Sequence, residues 1–116
     1  MHELSLTRSI LGICLEEAEK NKLKKVSKIN ICAGEIHNYE EKWIQYYFDI
    51  ASKGTLCSGA RTELTLIPVR FHCRDCGADF SLDIRKDDKM VCKSCGGSNY
   101  KMTAGREFYI SSIEGE

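Results

Sequence analysis

Apolar residues recur at helical spacing over the first twenty positions, and charged residues fill most positions between them. This periodicity predicts an amphipathic helix over about residues 4 to 20, with its apolar face buried. One member of that face is Cys14, which we interpret as a core residue because a free cysteine packs as a small apolar group. The residues of the face are Leu4, Leu11, Cys14, Leu15 and Ala18.

Alternation with a period of two follows the helix. Ile29, Ile31 and Ala33 alternate with polar neighbours, which predicts a strand over residues 26 to 33 that ends at Gly34. A second alternating run, at Thr62, Leu64 and Leu66, predicts another strand that Pro68 closes.

A second helix is predicted between these two strands. Asn38 is followed three residues later by Glu41, a spacing typical of a helix start. Gly54 suits a left-handed stop. A heavy apolar stripe lies between these signals, and we interpret it as core packing. Its members are Trp43, Ile44, Tyr47, Phe48 and Ala51.

The amino-acid composition changes between Cys73 and about Ala104. Polar residues and glycines dominate there, so we expect the segment to bury little of its own surface and to depend on a metal for stability. After Gly105 a last strand is predicted, with Phe108 and Ile110 on one face and Tyr109 and Ile113 on the other.

The predicted order is helix, strand, helix, strand, metal loop, strand. If the last strand returns to the first sheet, the metal module is an insertion; the alternative is a tail strand within that module. We predict an α+β fold in which two helices pack on a small three-stranded mixed sheet with an inserted zinc-ribbon-like module. The expected domains are residues 1–70 plus 105–116 and residues 71–104.

Charge and composition exclude some classes of function. The 116 residues contain 17 Lys plus Arg and 17 Asp plus Glu, whereas a protein that binds duplex nucleic acid usually has a basic excess. We therefore expect no nucleic-acid partner. The start has no signal-peptide pattern and no run is long enough to span a bilayer, so we expect a cytoplasmic protein without membrane insertion.

Four of the seven cysteines form a metal-ligand motif. Cys73 and Cys76 make one Cys-x-x-Cys pair, Cys92 and Cys95 make another, and a glycine follows each pair. In a reducing compartment this spacing indicates zinc rather than disulfides. Four thiolates complete a tetrahedral Zn(II) shell and leave no open position, so the zinc is expected to be structural. We expect each glycine to free the backbone at a place where a side chain would crowd the turn.

Alternatives for this motif are an iron site of the rubredoxin kind and a redox dithiol pair. His72 adjoins Cys73 and could replace a thiolate in some state.

Cys32, Cys57 and His37 have no evident role, and no nucleophile lies beside an acid and a base. We expect no catalytic residues and therefore no enzyme.

The first three residues offer a second metal site. The α-amine of Met1, the amide and imidazole of His2 and the amide of Glu3 could close chelate rings around one ion. Ni(II) and Cu(II) favour such nitrogen sets. We expect Met1 to be retained, since its removal requires a small second residue. From these residues alone a mobile terminus without function is the favoured interpretation.

Several short motifs occur together in order. They are Met1-His2-Glu3-Leu4-Ser5-Leu6, Gly34-Glu35, Lys53-Gly54-Thr55, the two Cys-x-x-Cys pairs and Ser111-Ser112-Ile113-Glu114. Taken together, over nearly the whole chain, they resemble the HypA/HybF family of hydrogenase-maturation nickel metallochaperones. The sequence departs from the family pattern at Lys93, where a proline is frequent, and at His37 and Asn38.

The resemblance implies a nickel-binding α/β domain and a zinc domain. It implies that Met1, His2 and Glu3 bind Ni(II), with His2 indispensable, and Glu40 occupies the place of an acidic residue that can add a ligand. Zn(II) would be structural and Ni(II) a transient cargo. The implied partners are a GTPase accessory protein and the large subunit of nickel–iron hydrogenase, and some members serve urease. An exposed sheet edge would also permit a homodimer.

The favoured hypothesis is thus a nickel carrier. The main alternative is a zinc-ribbon module for protein–protein or RNA interaction that transfers no nickel. A second alternative is an electron carrier with iron in the thiolate site.

Overall fold

The computed structural model describes residues 2–82 and 89–116, and only the backbone of His2. Over these residues the chain forms two α-helices, one 3₁₀ turn and six strands. In chain order they are α1 (His2–Lys20), β1 (Val26–Gly34), the 3₁₀ turn (Glu35–His37), α2 (Glu41–Ala51), β2 (Arg61–Ile67), β3 (Arg70–Cys73), β4 (Asp79–Ser81), β5 (Tyr100–Ala104) and β6 (Phe108–Gly115).

The strands form two three-stranded sheets. The first has the order β2-β1-β6, and the second the order β4-β3-β5 with β3 antiparallel to both neighbours. Because β6 returns to the first sheet, the segment that carries the second sheet is an insertion. The predicted class, two helices with a small three-stranded mixed sheet and an inserted module, is confirmed. No helix in the described part of the chain is long and apolar enough to cross a lipid bilayer.

The chain divides into two compact units, each with its own core. The first unit comprises Met1–Cys32, Tyr39–Thr65 and Phe108–Glu116; the second comprises Ala33–Asn38 and Leu66–Glu107.

The core of the first unit follows most of the periodicity of the sequence, although Leu4 of the predicted apolar face is 37% exposed. Ile10, Cys14 and Ala18 of α1 are fully buried, which confirms the core assignment of Cys14. The inward positions of β1 are Ile29 and Ile31, again as the alternation predicted. The apolar faces of α1 and β1 belong to one core, from which water is excluded.

The aromatic stripe of α2 was only partly core. Ile44 and Phe48, one turn apart, are fully buried, whereas Trp43 is 43% exposed and Tyr47 is half-buried. A helix packed on one side buries a narrow stripe, and the predicted stripe was wider than that. The interpretation of Trp43 as a core residue was therefore wrong.

The predicted start of α2 was also wrong. Asn38 has left-handed backbone angles and ends the 3₁₀ turn, and the N-cap position of α2 belongs to Glu40. A residue in the left-handed region cannot take the extended backbone of an N-cap. On β6, Ile113 packs against the same core as Phe108 and Ile110, contrary to its predicted face.

The second unit has an aromatic core that the sequence analysis did not foresee. The rings of Phe71 and Phe80 stack at 5.6 Å between centroids, and Tyr100 meets Phe71 edge-on at 4.9 Å. Val69, Leu82, Cys73 and Cys92 are buried in the same cluster. Within residues 73–82 and 89–104 only Cys73, Phe80, Leu82 and Cys92 are buried, which agrees with the expectation that this segment buries little of its own surface. The rest of the buried core comes from Val69 and Phe71, which precede the segment.

Candidate metal centre

Two turns of the same construction carry the four motif cysteines. In the first, the N–H of Gly77 donates to the carbonyl of Cys73 at 3.0 Å; in the second, Gly96 donates to Cys92 at 2.8 Å. Gly77 and Gly96 have φ of +76° and +73°, where a side chain is strained, yet an added Cβ would meet nothing within 4 Å. The predicted need for a free backbone is therefore confirmed, whereas the predicted crowding by a side chain is wrong.

Each turn is tied to its surroundings by backbone hydrogen bonds. The N–H of Cys73, at the end of β3, donates to Ala78 at 2.9 Å, and the N–H of Cys92 donates to Gly97 at 2.8 Å. Both cysteines are buried, whereas the second cysteine of each pair, Cys76 or Cys95, is exposed. The site consequently lies at the surface of the second unit with its inner half fixed in the core.

The four sulfur atoms converge on one point. All lie within 4.8 Å of one another. The Sγ of Cys73 is 3.7 Å from that of Cys95, and the Sγ of Cys76 is 3.6 Å from that of Cys92. A tetrahedral ion with Zn–S bonds of about 2.3 Å needs sulfur atoms about 3.8 Å apart. The arrangement therefore fits one tetrahedral ion, and the separations are much too long for disulfides.

The thiols differ in how easily they ionise. Hydrogen bonds from the backbone N–H of Cys95, and then of Ser94, lower the pKa of Cys92 to about 7. The N–H of Ala78 acts in the same direction on Cys76, but desolvation and the other three sulfur atoms outweigh it and raise that pKa to about 12. Four thiolates this close repel one another, and a divalent cation removes that repulsion.

Hydrogen bonds join the segment around both turns to residues 99 and 100, at the start of β5. The amide of Asn99 donates to Asp75 at 3.1 Å, and the backbone N–H of Arg74 donates to the carbonyl of Asn99 at 2.9 Å. The hydroxyl of Tyr100 donates to the carbonyl of Met90 at 2.8 Å. Sequence reasoning missed these supports, since Asp75 and Asn99 are 24 positions apart and carry no local signal.

His72 is paired away from the cysteines. Its Nδ1 lies 2.7 Å from the carboxylate of Asp79, its partner across the β3–β4 ladder. Successive residues of a strand point to opposite faces, so His72 does not share the face of Cys73. This placement gives no support to the idea that His72 replaces a thiolate.

The remaining cysteines and His37 lie elsewhere. Cys14 and Cys57 are buried in the core of the first unit, where burial, followed by the charge of Cys57, raises the pKa of Cys14 to about 12. Cys32 is half-buried on β1. His37 donates from Nε2 to the carbonyl of Arg106 at 2.8 Å, a partner that sequence reasoning did not identify.

The predicted nickel ligands are only partly visible. Met1 and the side chain of His2 lie outside the described residues, while Glu3 is half-buried in the first turn of α1. Glu40 is exposed at the N-terminus of α2, where its carboxylate lies 3.6 Å from the ammonium of Lys42. The geometry of the N-terminal site is therefore still a prediction.

A family model described as "Hydrogenase/urease nickel incorporation, metallochaperone, hypA" matches residues 1–115. The match includes the N-terminal motif and all four motif cysteines.

Curated relatives agree with this match. A protein named hydrogenase maturation factor HypA from Caldanaerobacter subterraneus is 38% identical over 117 residues, with all of both chains covered. One of the same name from Dehalococcoides mccartyi is 40% identical over 114 residues, which cover 98% of this chain and 93% of the relative.

Solved structures show the same fold. The solution structure of the nickel metallochaperone HypA from Helicobacter pylori matches with a TM-score of 0.65 at 26% identity, covering 97% of this chain and 96% of that one. A second solution structure of a HypA protein matches with a TM-score of 0.72 at 26% identity, covering 100% and 97%.

Proposed function

The chain belongs to the HypA family of nickel-incorporation metallochaperones, and from this premise we propose that it binds Ni(II) at its N-terminus and delivers it during maturation of nickel–iron hydrogenase. The observation that carries the proposal is the family match, which begins at residue 1 and therefore includes Met1, His2 and Glu3. The protein acts in this proposal as a carrier and catalyses no reaction.

The four clustered cysteines would hold Zn(II) as a structural ion. Their sulfur separations suit a tetrahedral ion, and four thiolate ligands leave no position for a substrate or a catalytic water. Cys73 and Cys92 belong to the core of the second unit, so the ion would join that core to the two exposed turns. Iron in the same site would fit the distances equally well, and metal analysis separates the two.

Nickel would be held by a different donor set. The α-amine of Met1, the amide and imidazole nitrogen atoms of His2 and the amide of Glu3 offer the tetragonal nitrogen geometry that Ni(II) favours. Glu40 could add an oxygen ligand if its pairing with Lys42, at 3.6 Å, is exchanged for the metal. Both groups are exposed, so breaking this pair costs little.

This division of donors suits transport. A site on the first residues, with one imidazole and few other side-chain ligands, can release its ion quickly to an acceptor. The four thiolates retain theirs, because soft sulfur donors bind Zn(II) tightly. Cargo and structural metal are thereby kept on separate sites.

We extend the proposal to domains and partners. Residues 1–70 with 105–116 would form the nickel-binding domain and residues 71–104 the zinc-binding domain. The partners would be a GTPase accessory protein and the hydrogenase large subunit, in the cytoplasm, with a homodimer permitted at the exposed edges of the first sheet.

A competition experiment tests the carrier role. Protein that holds both metals is mixed with a colorimetric chelator, and the release of nickel and zinc is followed separately. We expect nickel to transfer within seconds to minutes while zinc stays bound. Release of both ions at the same slow rate would contradict a carrier, because no cargo could then be donated.

A further inference from the structure

The outward side of α2 presents a continuous apolar surface. Trp43, Tyr46 and Ile50 are 43%, 54% and 50% exposed, and Tyr47 lies half-buried beside them. Trp43 and Tyr46 are 5.9 Å apart between ring centroids, and Tyr46 and Tyr47 are 5.2 Å apart. These four residues, the aromatic face, have the composition of a protein interface core, in which tyrosine and tryptophan are enriched.

A groove of about 800 Å³ lies along the same helix. Lys42 and Lys53 of the α2 region and Arg61 of β2 contribute three cations to its lining, and Glu41 and Asp49 contribute two carboxylates. The ammonium of Lys42 is also 5.7 Å from the ring centroid of Trp43. Lys42 therefore belongs to both surfaces, and the aromatic face and the groove adjoin one another.

The two carboxylates of the groove accept hydrogen bonds from neutral donors and keep their negative charge. Glu41 accepts a hydrogen bond from the backbone N–H of Leu64 at 2.9 Å, and Asp49 accepts one from Gln45 at 2.7 Å. Among residues 2–82 and 89–116 neither Lys53 nor Arg61 forms an ion pair within 4 Å, although the charge of Arg61 acts on Glu63, which pairs with Lys28. The groove thus offers two cations that an incoming acidic group can reach.

We propose that the aromatic face and the groove together dock an amphipathic, acidic segment of a partner protein. Its apolar side chains would cover Trp43, Tyr46 and Ile50, and its carboxylates would reach Lys53 and Arg61. The 11 residues of α2 span about 16 Å, which matches a partner helix of about three turns. The proposal goes beyond nickel binding and does not depend on it.

The surroundings favour this occupant over two others. A flat lipid surface cannot enter a concave groove, so it would not reach the cations that line the groove. A second copy of the same face would bring the groove cations of one chain toward those of the other, which is unfavourable. A separate acidic segment is narrow enough to enter the groove and brings no second set of cations.

Trp43 provides the test, because it is the sole tryptophan of the chain. The full-length, zinc-loaded protein is titrated with a tryptophan-free synthetic helix of about 14 residues, with leucines at positions i, i+3, i+4 and i+7 and glutamates on its flanks. The matched probe carries lysines in place of the glutamates. Binding is followed by the fluorescence emission of Trp43, with and without added salt.

We expect a saturable blue shift with the acidic helix alone. The double variant Lys53→Glu and Arg61→Glu, and separately Tyr46→Ser, should each weaken binding by about tenfold or more. The controls, Lys89→Glu with Lys101→Glu and Tyr109→Ser, change exposed residues elsewhere and should bind like the unaltered chain.

Three results would overturn the proposal. Equal shifts with both probes, or none, would exclude an acidic ligand. A shift only with vesicles of anionic lipid would assign the face to a membrane. A dimer that sedimentation detects and that Tyr46→Ser dissociates would assign it to a second copy. Circular dichroism of each variant confirms that loss of binding is not loss of fold.

Discussion

The α-carbon of Gly34 faces the carbonyl group of Gly105 so closely that a Cβ at residue 34 would overlap its oxygen. Hydrogen bonds hold this contact: the N–H of Gly34 donates to Glu107 at 2.7 Å and the N–H of Ile36 donates to Gly105 at 3.2 Å. Gly105 itself has φ of +112°, which only glycine adopts easily. The end of β1 and the segment before β6 are therefore fixed together within the second unit.

We expect Gly34→Ala to destabilise the protein by about 1–3 kcal/mol, because the new methyl group meets backbone atoms that cannot move aside. Urea unfolding followed by circular dichroism measures the change. A midpoint equal to that of the unaltered protein would show that the contact relaxes without cost.

Gly12→Ala is the matched comparison and should have the opposite effect. Gly12 lies exposed in the middle of α1, and an added Cβ there would meet nothing within 4 Å. Alanine loses less backbone entropy than glycine in a helix, so a gain of about 0.5–1 kcal/mol is expected in the same urea experiment. Destabilisation by Gly12→Ala would contradict the open space that the structure shows around residue 12.

Sequence periodicity predicted the first unit well because its elements are long and each buries one regular face. The alternation of Ile29 and Ile31 predicted the inner side of β1, and Cys14 was correctly placed in the core. The exposure of Trp43 was missed because composition alone does not reveal how wide a buried stripe is.

The second unit was harder to predict. Strands β3, β4 and β5 contain only four, three and five residues, too few for a period to be recognised, and the contacts among Phe71, Phe80 and Tyr100 join distant positions. The cysteine spacing still identified the metal site, since that motif is local. His2 shows the opposite limit: the nitrogen donors of the first three residues allowed a metal site, but only the family resemblance favoured it over a terminus without function.

Removal of zinc should affect the two units differently. A strong chelator, or Cys92→Ser, should abolish the packing of Phe71, Phe80 and Tyr100, whereas the emission of Trp43 in the first unit should stay the same. Near-ultraviolet circular dichroism and elemental analysis follow the two effects. Retained aromatic packing in metal-free protein, or iron in place of zinc, would contradict a structural zinc site.

Acid should release the zinc by protonating its thiolate ligands. Metal binding displaces protons from the cysteines. For each displaced proton, the apparent zinc affinity should therefore fall roughly tenfold when the pH is lowered by one unit. A zinc-sensitive dye, read between neutral and mildly acidic pH, reports the loss. Zinc occupancy independent of pH in competition with the dye would argue against a cysteine site.

Cys14 should make the stability fall at alkaline pH. Its pKa is raised to about 12 in the folded chain, from an ordinary value near 9. Below pH 9 the Cys14 thiol is protonated in both the folded and the unfolded chain, so its full contribution to the free energy of unfolding is present there. Between pH 9 and 12 only the unfolded chain loses the proton, and stability declines by up to about 1.4 kcal/mol per pH unit.

Cys14→Ala removes this group and is the control for all other titrating residues. The difference in unfolding free energy between the two proteins, measured by urea at several pH values above 8, should shrink as the pH rises. A difference that stays constant up to pH 11 would show that the buried thiol ionises as easily in the folded chain as in the unfolded one.

Calorimetric titration of Ni(II) into zinc-loaded protein with an unmodified Met1 tests the carrier proposal most directly. His2→Ala and a version with one extra N-terminal residue are titrated beside it, and Glu40→Gln shows whether that carboxylate contributes. We expect the unaltered chain to bind about one nickel ion at roughly micromolar affinity, and the first two variants to lose that binding while keeping their zinc. Equal nickel binding by all the proteins would place the ion elsewhere and contradict the N-terminal site.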